Sequence, residues 1–586
     1  MIKKNFIRLF EDSFRKNWYL SGFTNYGEDV TLTYKEIAVQ VAKLHILFRQ
    51  CDIKQNDKIA LIGKNNANWA ITYIATVTYG AIIVPILQDF TPHDVHHITN
   101  HSESKLMFVS DYIWENLEEE HLHTIQAVFS LTDFSVIGLL NQPAPSLLEE
   151  KEDYAAIVQP LDKNKLCPRC VDNLFAEKYP NGFHKDDVRY ADKPNSEIVS
   201  INYTSGTTGF SKGVMTSGNA LAGNITFGFR TKLIAPGYNI VAFLPLAHAY
   251  GCAFDFLTST CAGCHIHFIG RTPSPKILLK AFEEVRPNVI FCVPLIIEKI
   301  YKKQIQPLLE KPFVSWVLSV PLLDQTILSQ IRKKLVDAFG GNFSEIVVGG
   351  APLNAEVEAF FHKIKFPFTI GYGMTECAPL ISYSNKNDFI PKSAGKVLDI
   401  MEVKIENPDA ETGIGEILVH GENVMSGYYK NPEATEAILN KEGWLRTGDL
   451  GKLDSAGNVF IRGRNKTMIL SANGQNIYPE EIESKLNNLP FVGESLVVED
   501  KGKLVALVFP DYDAADNQKL DAEGLEKVMA ENLKTLNSMS AGYEQVAKIQ
   551  IYPTEFEKTP KKSIKRYLYS ANFQMPNQLE SSQLNS

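Results

Sequence analysis

The segment Ile201–Met215, INYTSGTTGFSKGVM, carries the residue types that hold a phosphate group. After an apolar, strand-like start it contains five serines and threonines, three glycines and a lysine. Glycines let backbone N–H groups turn toward one anion, hydroxyls add hydrogen-bond donors, and the lysine adds positive charge. The candidate phosphate-binding residues are Thr204, Ser205, Gly206, Thr207, Thr208, Gly209 and Lys212. This composition favours a phosphate-binding loop over an ordinary polar surface loop.

The segment differs from the best-known phosphate loop, GxxxxGK[ST]. That pattern requires glycine before the lysine and a hydroxyl residue after it, where this chain has Ser211 and Gly213. The nucleotide-binding fold of the Walker type is therefore not indicated.

Apolar runs separated by helix-length segments must position this loop. Near-continuous apolar runs of this kind are typical of buried parallel strands joined by helices. The fold class predicted is α/β, with a large N-terminal domain of βαβ-type sheets flanked by helices. The runs are KIALIG (58–63), AIIVPI (81–86), KLMFVSD (105–111), NIVAFLPL (239–246), NVIFCVP (288–294) and EIVVGG (345–350).

A polar, glycine-punctuated zone from Asn407 to Gly463 predicts a small β region, and the pattern then restarts as a compact unit of its own. We predict an N-terminal domain over residues 1–463, a smaller, mobile α+β domain over 464–575, and a polar tail over 576–586. The break between the domains is expected at GRNK, Gly463–Lys466.

Composition, charge and the distribution of apolar residues exclude several classes of protein. With 59 basic against 68 acidic residues, the formal net charge is -9, which argues against nucleic acid as a partner. The N-terminal segment lacks the apolar core of a signal peptide, and residues 70–87 read as helix, turn and strand rather than as a membrane span. We expect a cytoplasmic protein without a transmembrane segment, whose eight cysteines are reduced thiols.

Three further groups could bind a metal or haem, and each has a simpler interpretation. Cys261 and Cys264 in CAGCHIH fit buried packing in an apolar strand-like run, and CPRC (167–170) lacks nearby partners for zinc. The histidines spaced four apart on one helix face lack an acidic partner, and polar residues commonly fill such a face. They are His93, His97 and His101.

Seven spaced segments, from Thr204 to Glu483, together resemble the adenylate-forming superfamily of acyl- and aryl-CoA synthetases, luciferases and peptide-synthetase adenylation domains. Besides the phosphate loop they are LPLAHAYG (244–251), GGAPL (349–353), GYGMTEC (371–377), GEILVHGENVMSGYYKNPEAT (415–435), GWLRTGDLG (443–451) and GRNKTMILSANGQNIYPEEIE (463–483). They span about half the chain.

The resemblance implies a role for each matching position. His248 would border the acyl site and Glu376, with Thr204, would bind magnesium. Asp449 would hold the ribose hydroxyls, Arg464 would lie near the ribose and phosphate, and Gly474 would line the pantetheine tunnel. The nucleotide pocket would be formed by Gly350, Ala351, Pro352, Gly371, Tyr372, Gly373, Met374 and Thr375, with Tyr372 stacking on adenine.

The implied reaction is ATP-dependent activation of a carboxylic acid to an acyl-adenylate, followed by thioester formation with coenzyme A. Lys212 and Mg²⁺ would neutralise charge on the phosphates. GYGMTECAP and the overall layout resemble bacterial long-chain acyl-CoA synthetases, which implies a medium- or long-chain fatty acid. Acyl carrier protein in place of coenzyme A stays open, as does peripheral contact with a membrane.

The chain departs from the superfamily at TPKKSIKR (559–566). The position of the family's adenylation lysine, aligned without a gap, is Ser563. Lys562, displaced by one residue, could take its place on a long, flexible stem. Alternatively, adenylation proceeds slowly without that lysine, or the chain is a non-catalytic nucleotide- or acyl-binding protein.

Overall fold

The elements described below belong to a computed structural model of the chain. It describes residues 2, 4–141, 160–204, 211–271, 273–309, 324–470, 476–500, 502–559 and 564–569.

The largest sheet has seven strands and carries the phosphate-loop segment at one edge. Its inner strands are parallel, as the apolar runs predict, and an antiparallel strand closes each side. In spatial order the strands are Val136–Leu139, Ala127–Ser130, Ser104–Val109, Lys58–Ile62, Ile82–Ile86, Ile198–Thr204 and Lys212–Ser217.

Two further sheets, each mostly parallel, contribute strands whose carboxyl ends carry predicted site residues. The first has the order Asn239–Ala242, His265–Phe268, Ser21–Asn25 and Thr31–Thr33. The second has the order Ile290–Cys292, Ile346–Val348, Phe368–Gly373 and Leu380–Tyr383. A fourth sheet is antiparallel: Met401–Glu406, Gly415–Gly421, Leu445–Leu453 and Val459–Arg464.

Helices cover these sheets and begin at the residues expected for helix caps. Thr33 and Glu36 form a capping box at the start of Tyr34–Gln50, and Asn5 caps the first helix. The α-helices of this part are Phe6–Lys16, Tyr34–Gln50, Ala67–Tyr79, Pro92–Ser102, Asp111–Trp114, Pro168–Lys178, Gly218–Arg230, Ser259–Ala262, Pro275–Val285, Pro294–Ile300, Gln306–Leu309, Asp324–Ala338, Ala355–Lys363 and Pro432–Glu436. Gly251–Thr258 and Tyr301–Ile305 are π-helical.

The C-terminal region is a small α+β unit. A three-stranded sheet, Val492–Asp500, Lys503–Pro510 and Val546–Ile551, packs with helices Pro479–Leu486 and Ala522–Ser538, and a third helix spans Tyr512–Asn517. A two-stranded ribbon, Ile469–Leu470 with Asn476–Ile477, precedes it. The fold class predicted from the sequence is confirmed by this architecture and by the solved structures compared below.

Buried apolar side chains form separate cores in the two regions. The two clusters of the N-terminal part end at Val459, and the two C-terminal clusters contain buried residues from Ile477 onward. No described helix combines the length and the apolar character needed to cross a bilayer. The domain limits 1–463, 464–575 and 576–586 stay a prediction, which the separate cores support.

The π-helix Gly251–Thr258 buries an acidic residue, Asp255, with no exposed surface. Neither carboxyl oxygen makes a hydrogen bond of good geometry among the described residues, although the Leu244 amide lies close enough to favour the charged form slightly. Burial raises the pKa of Asp255 well above its ordinary value. The folded protein therefore keeps this carboxyl protonated in a range of pH where the unfolded chain ionises it.

We expect Asp255→Asn to raise the midpoint of thermal unfolding, and to raise it more at pH 8 than at pH 4. Keeping Asp255 protonated costs free energy only above the ordinary aspartate pKa of about 3.9, and this cost grows with pH. Asparagine removes the ionisable group at nearly the same size. Differential scanning fluorimetry at the two pH values measures the effect.

Asp516→Asn, at an exposed position, is the matched control and should change the midpoint little at either pH. A gain for Asp255→Asn that is equal at pH 4 and pH 8 would contradict a buried, protonated carboxyl.

Candidate active site

The carboxyl ends of parallel strands from two sheets open onto one large cleft, of about 3160 Å³. In sheets of this kind, ligands bind beyond the carboxyl ends of the strands. The loop after Asn239–Ala242 brings His248 to the cleft, and the turn after Ile346–Val348 brings Gly350. The predicted residues that line it are Thr204, Lys212, His248, Gly350, Ala351, Pro352, Gly371, Tyr372, Gly373, Met374, Thr375, Glu376 and Arg464.

Backbone pairing fixes the two residues that flank the predicted phosphate loop. Thr204 and Lys212 are opposite each other in an antiparallel hairpin at the edge of the seven-stranded sheet. The outer strand of that hairpin is paired in turn by the segment Ser426–Tyr429. The Met215 amide donates to the Gly427 carbonyl at 2.9 Å, and the Tyr429 amide donates to the Gly213 carbonyl at 2.7 Å. Lys212 is therefore held from both sides.

Tyr428 connects Lys212 to the predicted magnesium ligand. Its hydroxyl donates to Glu376 Oε1 at 2.8 Å, and the Lys212 ammonium lies 5.0 Å from the centre of its ring. The ring face attracts the cation, while the hydroxyl stabilises the carboxylate. Burial and then the Glu376 carboxylate raise the pKa of Tyr428, so its phenol stays a donor. The arrangement separates a cation from an anion by one aromatic ring.

Asp449 is buried behind the wall of the cleft and is not among the residues that line it. The Tyr372 hydroxyl donates to Asp449 Oδ2 at 2.7 Å, and Arg464 Nε lies 3.1 Å from Oδ1. Burial raises the pKa of Asp449, and the positive charge of Arg464 opposes that rise. Both carboxylate oxygens therefore have protein partners in this structure.

His248 lies in the turn before the π-helix. The Tyr250 amide donates to His248 Nδ1 at 3.3 Å, and the Cys252 amide donates to the His248 carbonyl at 2.9 Å. Because Nδ1 accepts a hydrogen bond, the neutral ring carries its proton on Nε2.

Two glycines determine the shape of the segments predicted to form the nucleotide pocket. Gly350 has a φ of +88°, in the left-handed region that favours glycine. A Cβ at Gly373 would lie 2.1 Å from the Pro379 carbonyl oxygen, so no side chain fits there. The strand Phe368–Gly373 can thus fold closely against the chain that returns after Glu376.

Buried apolar side chains also line the cleft. They include Phe227, Leu233, Phe243, Phe254, Ile269 and Phe291, each less than one tenth exposed. The small residues after His248, in contrast, are packed against their neighbours: a Cβ at Gly251 would lie 2.8 Å from the Pro245 carbonyl oxygen. Cys252 and Ala253 are buried and do not line the cleft.

The C-terminal region borders the same cleft. Thr559, Ile564, Lys565 and Arg566 line it, and so does Lys466. Lys558 and Ile564 pair as an antiparallel bridge, which brings the two ends of the basic segment together. Lys562, with Ser205, Gly206, Thr207, Thr208, Gly209 and Gly474, lies outside the described residues.

Two described cations of the basic segment have acidic partners within the C-terminal region. Lys565 Nζ lies 3.4 Å from Glu557, and Arg566 forms an ion pair with the buried Glu483. Arg566 also lies 3.8 Å from Glu480.

The structure gives two of the groups set aside above a packing role. His101 Nδ1 and the Tyr203 hydroxyl form a hydrogen bond of 2.7 Å, and the rings of His97 and His101 stack at 5.5 Å. Cys261 and Cys264 are buried.

Sequence reasoning did not assign Tyr428 a role. The available signal was an aromatic pair, Tyr428 and Tyr429, directly after Gly427 in a segment that already matched the superfamily. The hydrogen bond between Tyr372 and Asp449 was not predicted either, because the two residues lie on separate strands that only the fold brings together.

Comparison with known proteins decides the family. A profile described as AMP-binding enzyme matches residues 16–429, well over half of the chain. The chain belongs to the AMP-binding enzyme family. A second profile, the AMP-binding enzyme C-terminal domain, matches residues 466–576.

Two relatives show how far the resemblance extends. The long-chain-fatty-acid–CoA ligase FadD15 of Mycobacterium bovis is 25% identical over 93% of this chain and 91% of its own length. The long-chain-fatty-acid–CoA ligase ACSBG1 of Rattus norvegicus is 25% identical over 81% of this chain. This AMP-binding enzyme spans 66% of the rat relative's length.

Solved structures share the fold over nearly the whole chain. The anthranilate CoA ligase AuaEII in complex with anthranoyl-AMP has a TM-score of 0.72 at 18% identity and covers 97% of each chain. ATP-bound MatB from Rhodopseudomonas palustris has a TM-score of 0.70 at 22% identity, covering 96% of this chain and 98% of its own.

Tyr428→Phe tests whether the tyrosine hydroxyl prepares Glu376 for a cation. The change keeps the ring beside Lys212 and removes the hydrogen bond to the carboxylate. A hydrogen bond to a charged group contributes about 1.5–3 kcal/mol. We therefore expect the Mg²⁺ concentration for half-maximal ATP–pyrophosphate exchange to rise about 10-fold or more.

Tyr429→Phe is the matched control, since its hydroxyl contacts the exposed Glu103 at 3.0 Å. It should leave the Mg²⁺ dependence near that of the wild type. Equal responses of the two variants would contradict the role given to Tyr428.

Proposed function

We propose that the protein activates a medium- or long-chain fatty acid with ATP and transfers the acyl group to coenzyme A, releasing AMP and pyrophosphate. One observation carries the proposal. A single cleft joins the base of a phosphate loop, the Lys212–Tyr428–Glu376 arrangement and a buried apolar wall. Family membership and the names of the relatives support it.

In the first step, a carboxylate oxygen of the fatty acid attacks the α-phosphorus of ATP. A new P–O bond forms as the bond to the β-phosphate oxygen breaks, and pyrophosphate leaves. Lys212, with the loop 205–209, would neutralise charge on the phosphates. Asp449 would bind the ribose hydroxyls after exchanging its contact with Arg464 or Tyr372 for them.

The described residues fit a magnesium ion bound with the nucleotide. Glu376 supplies a carboxylate and Thr204 a hydroxyl, the hard oxygen ligands that Mg²⁺ prefers, and both line the cleft. Bound Mg²⁺ would offset negative charge on the phosphates. Tyr428 would hold Glu376 in place for it.

The acid would place its carboxylate near His248 and its alkyl chain against the apolar wall. Each methylene of the acid that is buried contributes about 0.8 kcal/mol, so an apolar lining of this kind favours a long alkyl chain over a short one. In the second step, the thiol of coenzyme A attacks the acyl carbon and AMP leaves. Gly474 would lie beside the pantetheine chain.

Lys562 would contact the α-phosphate during adenylation. Its neighbours Lys565 and Arg566 already have acidic partners, and the ends of the segment border the cleft. We place the reaction in the cytoplasm, where ATP and coenzyme A are available and thiols are reduced.

ATP–pyrophosphate exchange with a panel of short-, medium- and long-chain fatty acids tests the first step. We expect exchange that is strongest with medium or long chains, because the apolar wall rewards buried alkyl surface. No exchange with any acid would favour a non-catalytic binding protein. A thioester assay that offers coenzyme A and acyl carrier protein separately identifies the acceptor, and transfer to the carrier protein alone would overturn the coenzyme A assignment.

The same assay tests the basic segment. Lys562→Ala should lower the exchange rate about 10²–10³-fold, the range found when one charge-stabilising donor is removed. Lys565→Ala is the matched control and should stay within about 3-fold of the wild type, since its partner is an exposed carboxylate. A large loss in Lys565→Ala alone would contradict the role of Lys562.

A further inference from the structure

The CPRC segment (167–170) lacks nearby partners for zinc, but it brings its own two thiols into contact. Cys167 Sγ and Cys170 Sγ lie 2.6 Å apart, and both side chains are partly exposed. A disulfide bond measures about 2.05 Å, so the two sulfurs need to approach by only roughly half an ångström. Geometry therefore permits a bond between them.

The helix that carries the pair is anchored to the body of the protein. Pro168–Lys178 packs against Tyr34–Gln50, with an ion pair of 2.7 Å between Lys43 and Asp172. Val171, next to the pair, is buried. This packing holds the first turn of the helix, which carries Cys170, against the body of the protein.

The two thiols differ in character. Cys167 occupies the N-cap, where its sulfur accepts a hydrogen bond from the Cys170 amide at 3.3 Å. The Cys170 thiol, then backbone amides and the charge of Arg169, lower the pKa of Cys167. The hydrogen bond to Cys167 raises the pKa of Cys170, and the Asn164 carbonyl oxygen, 2.7 Å from Cys170 Sγ, is a second possible acceptor for its one S–H. Cys167 is thus the nucleophile of the pair.

The other six cysteines are buried, and burial raises the pKa of each thiol. A buried, protonated thiol is a poor nucleophile. The contrast singles out the CPRC pair as the reactive thiols of this chain.

We propose that Cys167 and Cys170 form a reversible thiol–disulfide site that exchanges with a low-molecular-weight disulfide of the glutathione type. The Cys167 thiolate attacks one sulfur of that disulfide, forming a mixed disulfide and releasing one small thiolate. Cys170 then loses its proton and attacks Cys167 Sγ, which releases the second small thiol. Two protein thiols become one disulfide while one small disulfide is reduced to two thiols. The site is independent of the proposed fatty-acid activation.

Equilibration of the full chain in glutathione redox buffers, followed by acid quenching and alkylation of the denatured protein, tests the site. We expect two of the eight thiols to become protected together, with peptide mass spectrometry locating the bond between Cys167 and Cys170. At a fixed concentration of oxidised glutathione, the ratio of disulfide to free dithiol should fall with the square of the reduced glutathione concentration, as a two-thiol exchange requires. Eight alkylated thiols in fully oxidised buffer, or a bond elsewhere, would overturn the proposal.

Single variants separate the two roles. Cys170→Ser should accumulate a mixed disulfide between Cys167 and glutathione, because the resolving thiol is gone. Cys167→Ser should react with oxidised glutathione more slowly than Cys170→Ser at pH 7, because the backbone amide that donates to Cys167 Sγ favours the thiolate of Cys167. Cys51→Ser, at a buried position, should behave as the wild type. Equal rates for the two CPRC variants would refute the assignment of Cys167 as nucleophile.

Discussion

The arrangement of the site depends on backbone pairing at one edge of the seven-stranded sheet. Lys212–Ser217 would otherwise be an exposed edge strand, with unpaired N–H and C=O groups. The segment Ser426–Tyr429, more than 200 residues later in the chain, occupies that edge. The same hydrogen bonds that protect the edge place Tyr428 between Lys212 and Glu376, so one pairing serves both stability and the electrostatics of the site.

Two acidic residues differ in depth: Glu376 lines the cleft, and Asp449 is buried and does not. Glu376 is partly exposed and has a neutral donor, Tyr428, on one oxygen. Asp449 is buried, and in that position an unpaired carboxylate would cost several kcal/mol; here its two oxygens are paired with Tyr372 and Arg464. The Arg464 side chain is itself largely exposed, and water therefore reaches this ion pair from one side only. Of the two, Asp449 is the carboxylate whose charge depends most on its protein partners.

The sequence predicts well what is local or periodic. Apolar runs such as KIALIG and EIVVGG become strands at Lys58–Ile62 and Ile346–Val348, because a buried parallel strand must be apolar on both faces. Family membership, predicted from seven spaced motifs, is confirmed by the family profiles.

What the sequence does not predict depends on contacts between distant segments or on one side-chain conformation. The role of Tyr428 requires a pairing across more than 200 residues, and the Cys167–Cys170 contact requires the particular geometry of a helix N-cap. The π-helix after His248 is likewise invisible to a 3.6-residue period, since its hydrogen bonds span five residues.

In the structure, the basic segment 559–566 makes an ion pair and a backbone bridge that its composition alone does not predict. Arg566 forms an ion pair with Glu483, which is buried in the C-terminal region, so this cation anchors the segment. A backbone bridge joins Lys558, the residue before the segment, to Ile564, and both residues border the cleft. The ion pair and the bridge therefore hold both ends of the segment beside the cleft.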